Sequence, residues 1–229
     1  MEKIGDETPK KGSGSHLSSF LNRIGGVFLA SDATFSRIIA DKIQFWEPFL
    51  LVLLLVGIHG AILASFAYRV LSAITTSISS ITGGTPLGFL AIIPWIMLTL
   101  TIVIPLIFWV IVAGIAHVSA KYVFKGYGSF VQLMRLYGYS FIPYSVVILS
   151  TVLFGISWTL WPLSIFLNIV TTFWIVLLMA VAVKHNYGID IGKAFVSSFI
   201  GPMVVWLIIV GILWAWMWLI ISSFAGGLI

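Results

Sequence analysis

Charge is what this sequence has least of. Aspartate, glutamate, lysine and arginine make up 8% of the 229 residues, against roughly 25% in soluble domains. Cysteine is absent, which excludes disulfides, thiolate nucleophiles and cysteine-held metal. Only seven carboxylates are present, and none falls in the interior of an apolar run. No H-E-x-x-H, G-x-S-x-G or phosphate-cradling glycine loop occurs. The expectation is a protein that is not an enzyme and needs no cofactor or metal. What fills the space is apolar: 60% of residues are hydrophobic and 15% aromatic. That composition implies a polytopic membrane protein. Its net charge of +5 fits loops facing anionic lipid better than a nucleic-acid partner.

A helix needs about 20 apolar residues to cross the hydrocarbon. Five stretches qualify: Pro48–Tyr68, Phe89–Ala120, Phe141–Leu160, Leu163–Val183 and Met203–Ile221. Pro94 and Pro105 interrupt the second, which is read as one kinked or tilted helix, because two crossings there would spoil the charge alternation. Eleven of the 12 basic residues then fall on one side, with Arg69 as the exception. By the positive-inside rule the N-terminus is cytoplasmic and the C-terminus outside. Trp158, Trp161, Trp214, Trp216 and Trp218 gather at the outer ends, as an interfacial belt would.

Before the first span, residues 1–16 read as a flexible segment and 17–47 as cytoplasmic amphipathic helices, leaving 48–229 as the membrane domain. Leu17, Phe20, Leu21, Ile24, Val27 and Phe28 recur at helical spacing. Ser31 and Asp32 offer an N-cap for a second helix bearing Phe35, Ile38 and Ile39. Ser129 and Gln132 form a capping box ahead of Phe130, Leu133, Met134 and Tyr137. Asp190 can cap a helix with Ile191, Ala194, Phe195 and Phe199. Such helices suit the interface, apolar face in the acyl boundary, with Arg135 kept among the headgroups. Gly138, Tyr139, Ser140 and Pro143 would then form a corner into the third span.

Few polar groups lie within the spans. An intramembrane ionisable group is a functional hypothesis by default, and His59 is one. The alternative is a neutral imidazole bonded to a neighbouring helix, through Asn168 or a hydroxyl. Gly57, Gly60, Ala61 and Ala64 surround His59 as small-residue pairs that allow close helix approach, either for packing or for self-association into a homo-oligomer. His117 and Lys121 are one turn apart, and with Lys125 and Arg135 could hold an anionic lipid headgroup. Snorkelling to the interface explains them equally.

"FKGYGSFVQLMRLYGYSFIPYSVV" (Phe124–Val147), "FLASDATFSRIIADKIQFWEPFLLVLLL" (Phe28–Leu55) and "VKHNYGIDIGKAFVSSFIGP" (Val183–Pro202) together resemble a known family. It is the Yip family of Ypt/Rab-interacting multi-span membrane proteins, in its prokaryotic form. The resemblance covers about residues 25–225. It implies five helices and a cytoplasmic N-terminus. For eukaryotic members it also implies vesicle traffic, membrane shaping and binding of small GTPases. The acidic Asp-Leu-Tyr-Gly-Pro element of those members has no counterpart; "FWEPF" (Phe45–Phe49) stands in its place, so GTPase binding is not expected.

The sequence therefore predicts an all-α, five-span bundle with interfacial cytoplasmic helices in a prokaryotic cell membrane. The leading function is a non-enzymatic membrane-organising or partner-binding scaffold, with the bilayer, anionic lipids, a second copy and a cytoplasmic protein as partners. The rivals are a channel or transporter with a path near His59 and Asn168, and a lipid-handling protein.

Overall fold

The computed structural model describes residues 16–41, 43–82, 92–208, 211 and 214. Among them the chain is helical and no strand occurs. The main helices are α1 (His16–Leu29), α2 (Ser31–Ala40), α3 (Trp46–Thr82), α4 (Ile93–Val118), α5 (Phe130–Ser140), α6 (Tyr144–Ile156), α7 (Trp161–Tyr187) and α8 (Ile191–Phe195). π-helical turns at Ser119–Val123 and Val196–Ile200 extend α4 and α8.

Five segments are long and apolar enough to cross a membrane: Trp46–Ser80, Ile93–Val123, Phe130–Ile156, Trp158–Tyr187 and Ile191–Ile208. The expected five spans are thus present, with different edges. Span two is one helix, with Pro105 inside it. The first helix runs well beyond Tyr68. The last begins at Ile191 rather than after Pro202, because the π turn carries the helix through. Trp158 and Trp161 are exposed at the α6–α7 turn, and Trp214 is exposed in the last span. Trp216, Trp218 and the outer part of the last span lie outside the described residues, as does nearly all of the segment 1–16.

The packed core sits at one end of the bundle, where α1 and α2 lie. Val27, Phe35 and Ile38 from these two helices meet Val52 and Val56 of α3, Trp109 and Ala116 of α4, Leu133 and Leu136 of α5, and Val183 and Tyr187 of α7. Phe35 is fully buried, a step that contributes roughly 1.5–3 kcal/mol for a side chain of its size. Phe28 meets Trp174 of α7 edge-on at 5.1 Å. The expected cap at Ser31 and Asp32 does not form: Ala30 occupies the N-cap with no side-chain bond. Asp32 instead reaches Lys184 and His185 on α7, each at 2.8 Å. These contacts hold its carboxyl below the usual carboxylate range, first through the Lys184 hydrogen bond and then through His185. The caps at Ser129 and Asp190 form as the spacing predicts, accepting from the backbone N–H of Gln132 and Lys193.

α5 departs from the expectation of a helix lying flat at a surface. Leu133, Met134, Leu136, Tyr137, Gly138, Tyr139 and Ser140 are all buried, so both its apolar stripe and most of its opposite face contact protein. A three-residue turn, with i→i+3 bonds such as Ile142 N–H to the Tyr139 carbonyl (3.1 Å), joins it to α6. Pro143 has no N–H, so the regular ladder must break there.

Candidate functional site

The head of α3 is where the most distant parts of the chain converge. "FWEPF" supplies it, and nearly every residue of that motif has a distinct contact. Phe45 and Phe49 stack against Trp109 of α4, with ring centroids 6.1 and 6.4 Å away. Glu47, in the first turn of α3, accepts from Arg23 of α1: Nη2 at 2.5 Å and Nε at 3.0 Å, both to Oε1. The Tyr139 hydroxyl of α5 donates to the same carboxylate oxygen and accepts from Arg23 Nε at 3.1 Å. Pro48 lies against Gly138, where an added Cβ would stand 2.5 Å from Pro48 Cβ and 3.0 Å from its carbonyl oxygen. Only a residue without a side chain allows that approach.

The Arg23 and Glu47 side chains are 12% and 28% exposed. Burial lowers the pKa of Arg23, but the hydrogen bonds to Glu47 and Tyr139 and the nearby negative charge outweigh it, so it is raised overall. The guanidinium is a fixed cation. It ties α1 to α3 and α5 at one point.

A second junction lies where α4 and α7 end and α5 begins. The His117 Nδ1 is hydrogen-bonded to the Tyr187 hydroxyl. Tyr127 donates its N–H to the Tyr187 carbonyl at 3.2 Å, and Asn186 Nδ2 donates to the Ser129 carbonyl at 2.9 Å. The Lys125–Ser129 loop is thereby laid across the end of α7. Gly188 closes that helix in the left-handed region, φ 65°, its N–H returning to the Lys184 carbonyl.

The residues singled out from sequence divide accordingly. His59 and Asn168 do not meet. His59 bridges to α6, with Nδ1 2.6 Å from the Tyr144 hydroxyl and Nε2 3.0 Å from Thr151 Oγ1. Thr151 donates its own proton to the Val147 carbonyl. Its oxygen is therefore left to accept from Nε2–H, and Nδ1 accepts from Tyr144, which is the pattern of a neutral ring. Asn168 instead joins α7 to α6, donating to Ser150 Oγ at 2.7 Å and to the Ser164 carbonyl at 2.8 Å.

The small-residue set around His59 also splits. Gly60 packs against Leu98 and Thr101 of α4, whereas Gly57 has open space beside it and Ala61 is exposed. Ala64 is half-buried. The headgroup quartet does not gather into one pocket. His117 holds Tyr187. Lys121 and Lys125 are exposed, Lys121 lying over the Tyr122 ring at 5.8 Å and Lys125 having φ 57°. Arg135 lines a pocket that none of the other three touches. Of the corner residues, Tyr139 joins the ion pair and Gly138 meets Pro48. Ser140 donates to the Leu136 carbonyl at 3.1 Å, and Pro143 caps α6.

Sequence reasoning missed Arg23, Glu47, Trp109 and Tyr187 as junction residues. The one available signal was Glu47, a lone carboxylate at the mouth of a span. In the sequence it stood only as part of "FWEPF", and nothing local to that stretch names Arg23 or Tyr139 as its partners.

This architecture is that of a polytopic integral membrane protein. Residues 25–215 match the Yip1 domain, and the chain belongs to that family. An uncharacterized protein of Methanocaldococcus jannaschii is 31% identical over 124 residues, which is 53% of this chain and 79% of the relative. No solved structure matches.

Proposed function

We propose that the chain is a non-enzymatic membrane scaffold that organises the bilayer or holds a protein partner on the face formed by α1 and α2. The observation that carries this reading is the pairing of polar groups within the spans. His59 is engaged through both ring nitrogens by α6, and Asn168 joins α6 to α7. Interhelical bonds of this kind fix helices in lipid. A transport path needs such groups turned toward water or substrate instead.

The orientation proposed from the basic residues puts α1 and α2 in the cytoplasm and the C-terminus outside. The archaeal relative supports a prokaryotic cell membrane. Residues 17–47 are the proposed platform and 48–229 the membrane domain; because α3 already begins at Trp46, the Arg23–Glu47 pair fastens the platform to the head of the first span. A second copy would meet the face carrying Gly57 and Ala61, since Gly60 is engaged by α4.

The test is ion and small-solute flux in proteoliposomes, comparing the full chain with His59→Leu. The scaffold reading predicts flux equal to protein-free vesicles for both. Flux that disappears in His59→Leu would overturn it in favour of a channel.

A further inference from the structure

Arg135 differs from the other partly buried cations. Arg23 is paired with Glu47, and Lys184 with Asp32; even exposed Lys193 reaches Asp190 at 3.3 Å. Among the described residues no carboxylate reaches Arg135, and its Nε is buried with no hydrogen-bond partner. A snorkelling arginine carries its fork into water, but this one has an N–H closed off from solvent by protein. An unmatched buried donor costs desolvation free energy, so Arg135 is held here without the counter-charge that Arg23 and Lys184 have.

The side chain lines a pocket of about 270 Å³ between α2 and α5, with Ser129 and Gln132 as its other polar members and Ile38, Ile39 and Leu136 as its apolar wall. Drug-sized ligands occupy roughly 300–1,000 Å³, so this space suits a headgroup-sized piece. Arginine's planar fork matches phosphate oxygens two at a time. The polar side of the pocket belongs to the first turns of the 11-residue helix α5, whose dipole also favours an anion. The greasy wall beside it accommodates the glycerol or first methylenes of an amphiphile.

We infer that the α2–α5 pocket is a phosphate site, with Arg135 as the anion-binding residue and Gln132 and Ser129 as hydrogen-bonding neighbours. Its ligand carries a phosphate mono- or diester, supplied by an anionic phospholipid headgroup or by a small free phosphate. The site stands apart from the scaffold reading, since it rests on other residues and its test does not involve His59.

The experiment uses the full chain in neutral detergent and follows thermal unfolding on adding phosphatidylglycerol, inorganic phosphate or diacylglycerol. Phosphatidylglycerol at saturation is expected to raise the Tm by about 5 °C, while diacylglycerol, lacking the phosphate, leaves it unchanged. A response to phosphatidylglycerol alone supports the site with a lipid source. A response to inorganic phosphate as well supports it with a free-phosphate source. Arg135→Lys keeps the charge but loses the fork, and should weaken the response about 10-fold. Gln132→Glu places a carboxylate three residues from Arg135 on the same pocket. It should raise the Tm of the ligand-free protein and abolish the response, which also guards against a fold defect in the Arg135 variant. Equal stabilisation by diacylglycerol, no response to either phosphate ligand, or a full response in Gln132→Glu would overturn the inference.

Discussion

The two ends of α3 are packed by different rules. From Trp46 to Gly60 it contributes Leu51, Val52, Val56 and Gly60 to the interior, and Glu47 and Pro48 to junctions with α1 and α5. Beyond Gly60 no described residue of α3 is buried. α4 repeats the division: its buried residues begin at Trp109 and continue toward its C-terminal end. With the cytoplasmic placement proposed for α1 and α2, the packed ends lie toward water, where burial of apolar surface drives association. In lipid that driving force between helices vanishes, and association depends on close packing and interhelical hydrogen bonds. So the packed end is held by many kinds of contact, while the far end relies on close approaches such as Phe66 of α3 over Gly155 of α6 and on sparse polar links such as Asn168–Ser150.

This contrast can be broken most severely at Glu47. Replacing it with alanine leaves Arg23 largely buried without its carboxylate, a loss of about 3 kcal/mol. We expect a Tm fall of roughly 6–12 °C and faster proteolysis between α1 and α2. A Tm within a degree of the parent would mean the junction does not hold α1.

Next in size is a pair of glycines. Gly138→Ala forces a methyl onto Pro48 and should cost about 1–3 kcal/mol. Gly57→Ala meets open space and should be neutral, or stabilise by up to about 1 kcal/mol through helix propensity. Equal destabilisation of the two, read by thermal unfolding in detergent, would erase the distinction between packed and lipid-facing surfaces.

Among the polar links between helices, His59→Leu leaves the Tyr144 hydroxyl without its acceptor and should cost about 1 kcal/mol. Adding Tyr144→Phe should cost little more, because the two act as one bond. Fully additive losses in the double-mutant cycle would show that they do not interact.

The smallest effect belongs to Asp32. Its carboxyl titrates below the usual value because Lys184 and His185 bond it. The unfolded carboxyl, near 3.9, therefore binds its proton first as pH falls. The contribution of the clasp is fully present above that value and is lost as pH drops through the depressed one. Hydrogen exchange of α2 should be unaffected by this group from pH 7 to about 5 and should quicken below about 4, with Asp32→Asn removing the step. An unchanged step in that variant would assign it elsewhere.

Much of this was legible beforehand. Length and hydropathy marked five spans, and Ser129 and Asp190 marked two helix starts by their spacing to backbone donors. His59 was readable as a neutral interhelical link to Asn168 or a hydroxyl, and its partners are the hydroxyls of Tyr144 and Thr151. The enclosure of α5 was not legible. Phe130, Leu133, Met134 and Tyr137 make the same stripe whether it faces lipid or protein. The ion pair was hidden by distance along the chain: Arg23 stands 24 residues from Glu47 and 116 from Tyr139. No local periodicity reports a contact of that range. The motif residues were visible, but which of them touch is a property of the fold.

The central claim is that the α1–α2 end is closed by protein around α5. Because the chain has no cysteine, a single Ser140→Cys substitution reads this directly. Ser140 shares the face of Gln132 and Leu136 at four-residue steps, the face a flat surface helix would turn to water. In open bilayer discs, the account predicts that a water-soluble maleimide leaves Cys at this position unmodified, while Tyr127→Cys, at a residue 98% exposed, reacts at once. Comparable labelling of both positions would contradict it and restore α5 to the membrane surface.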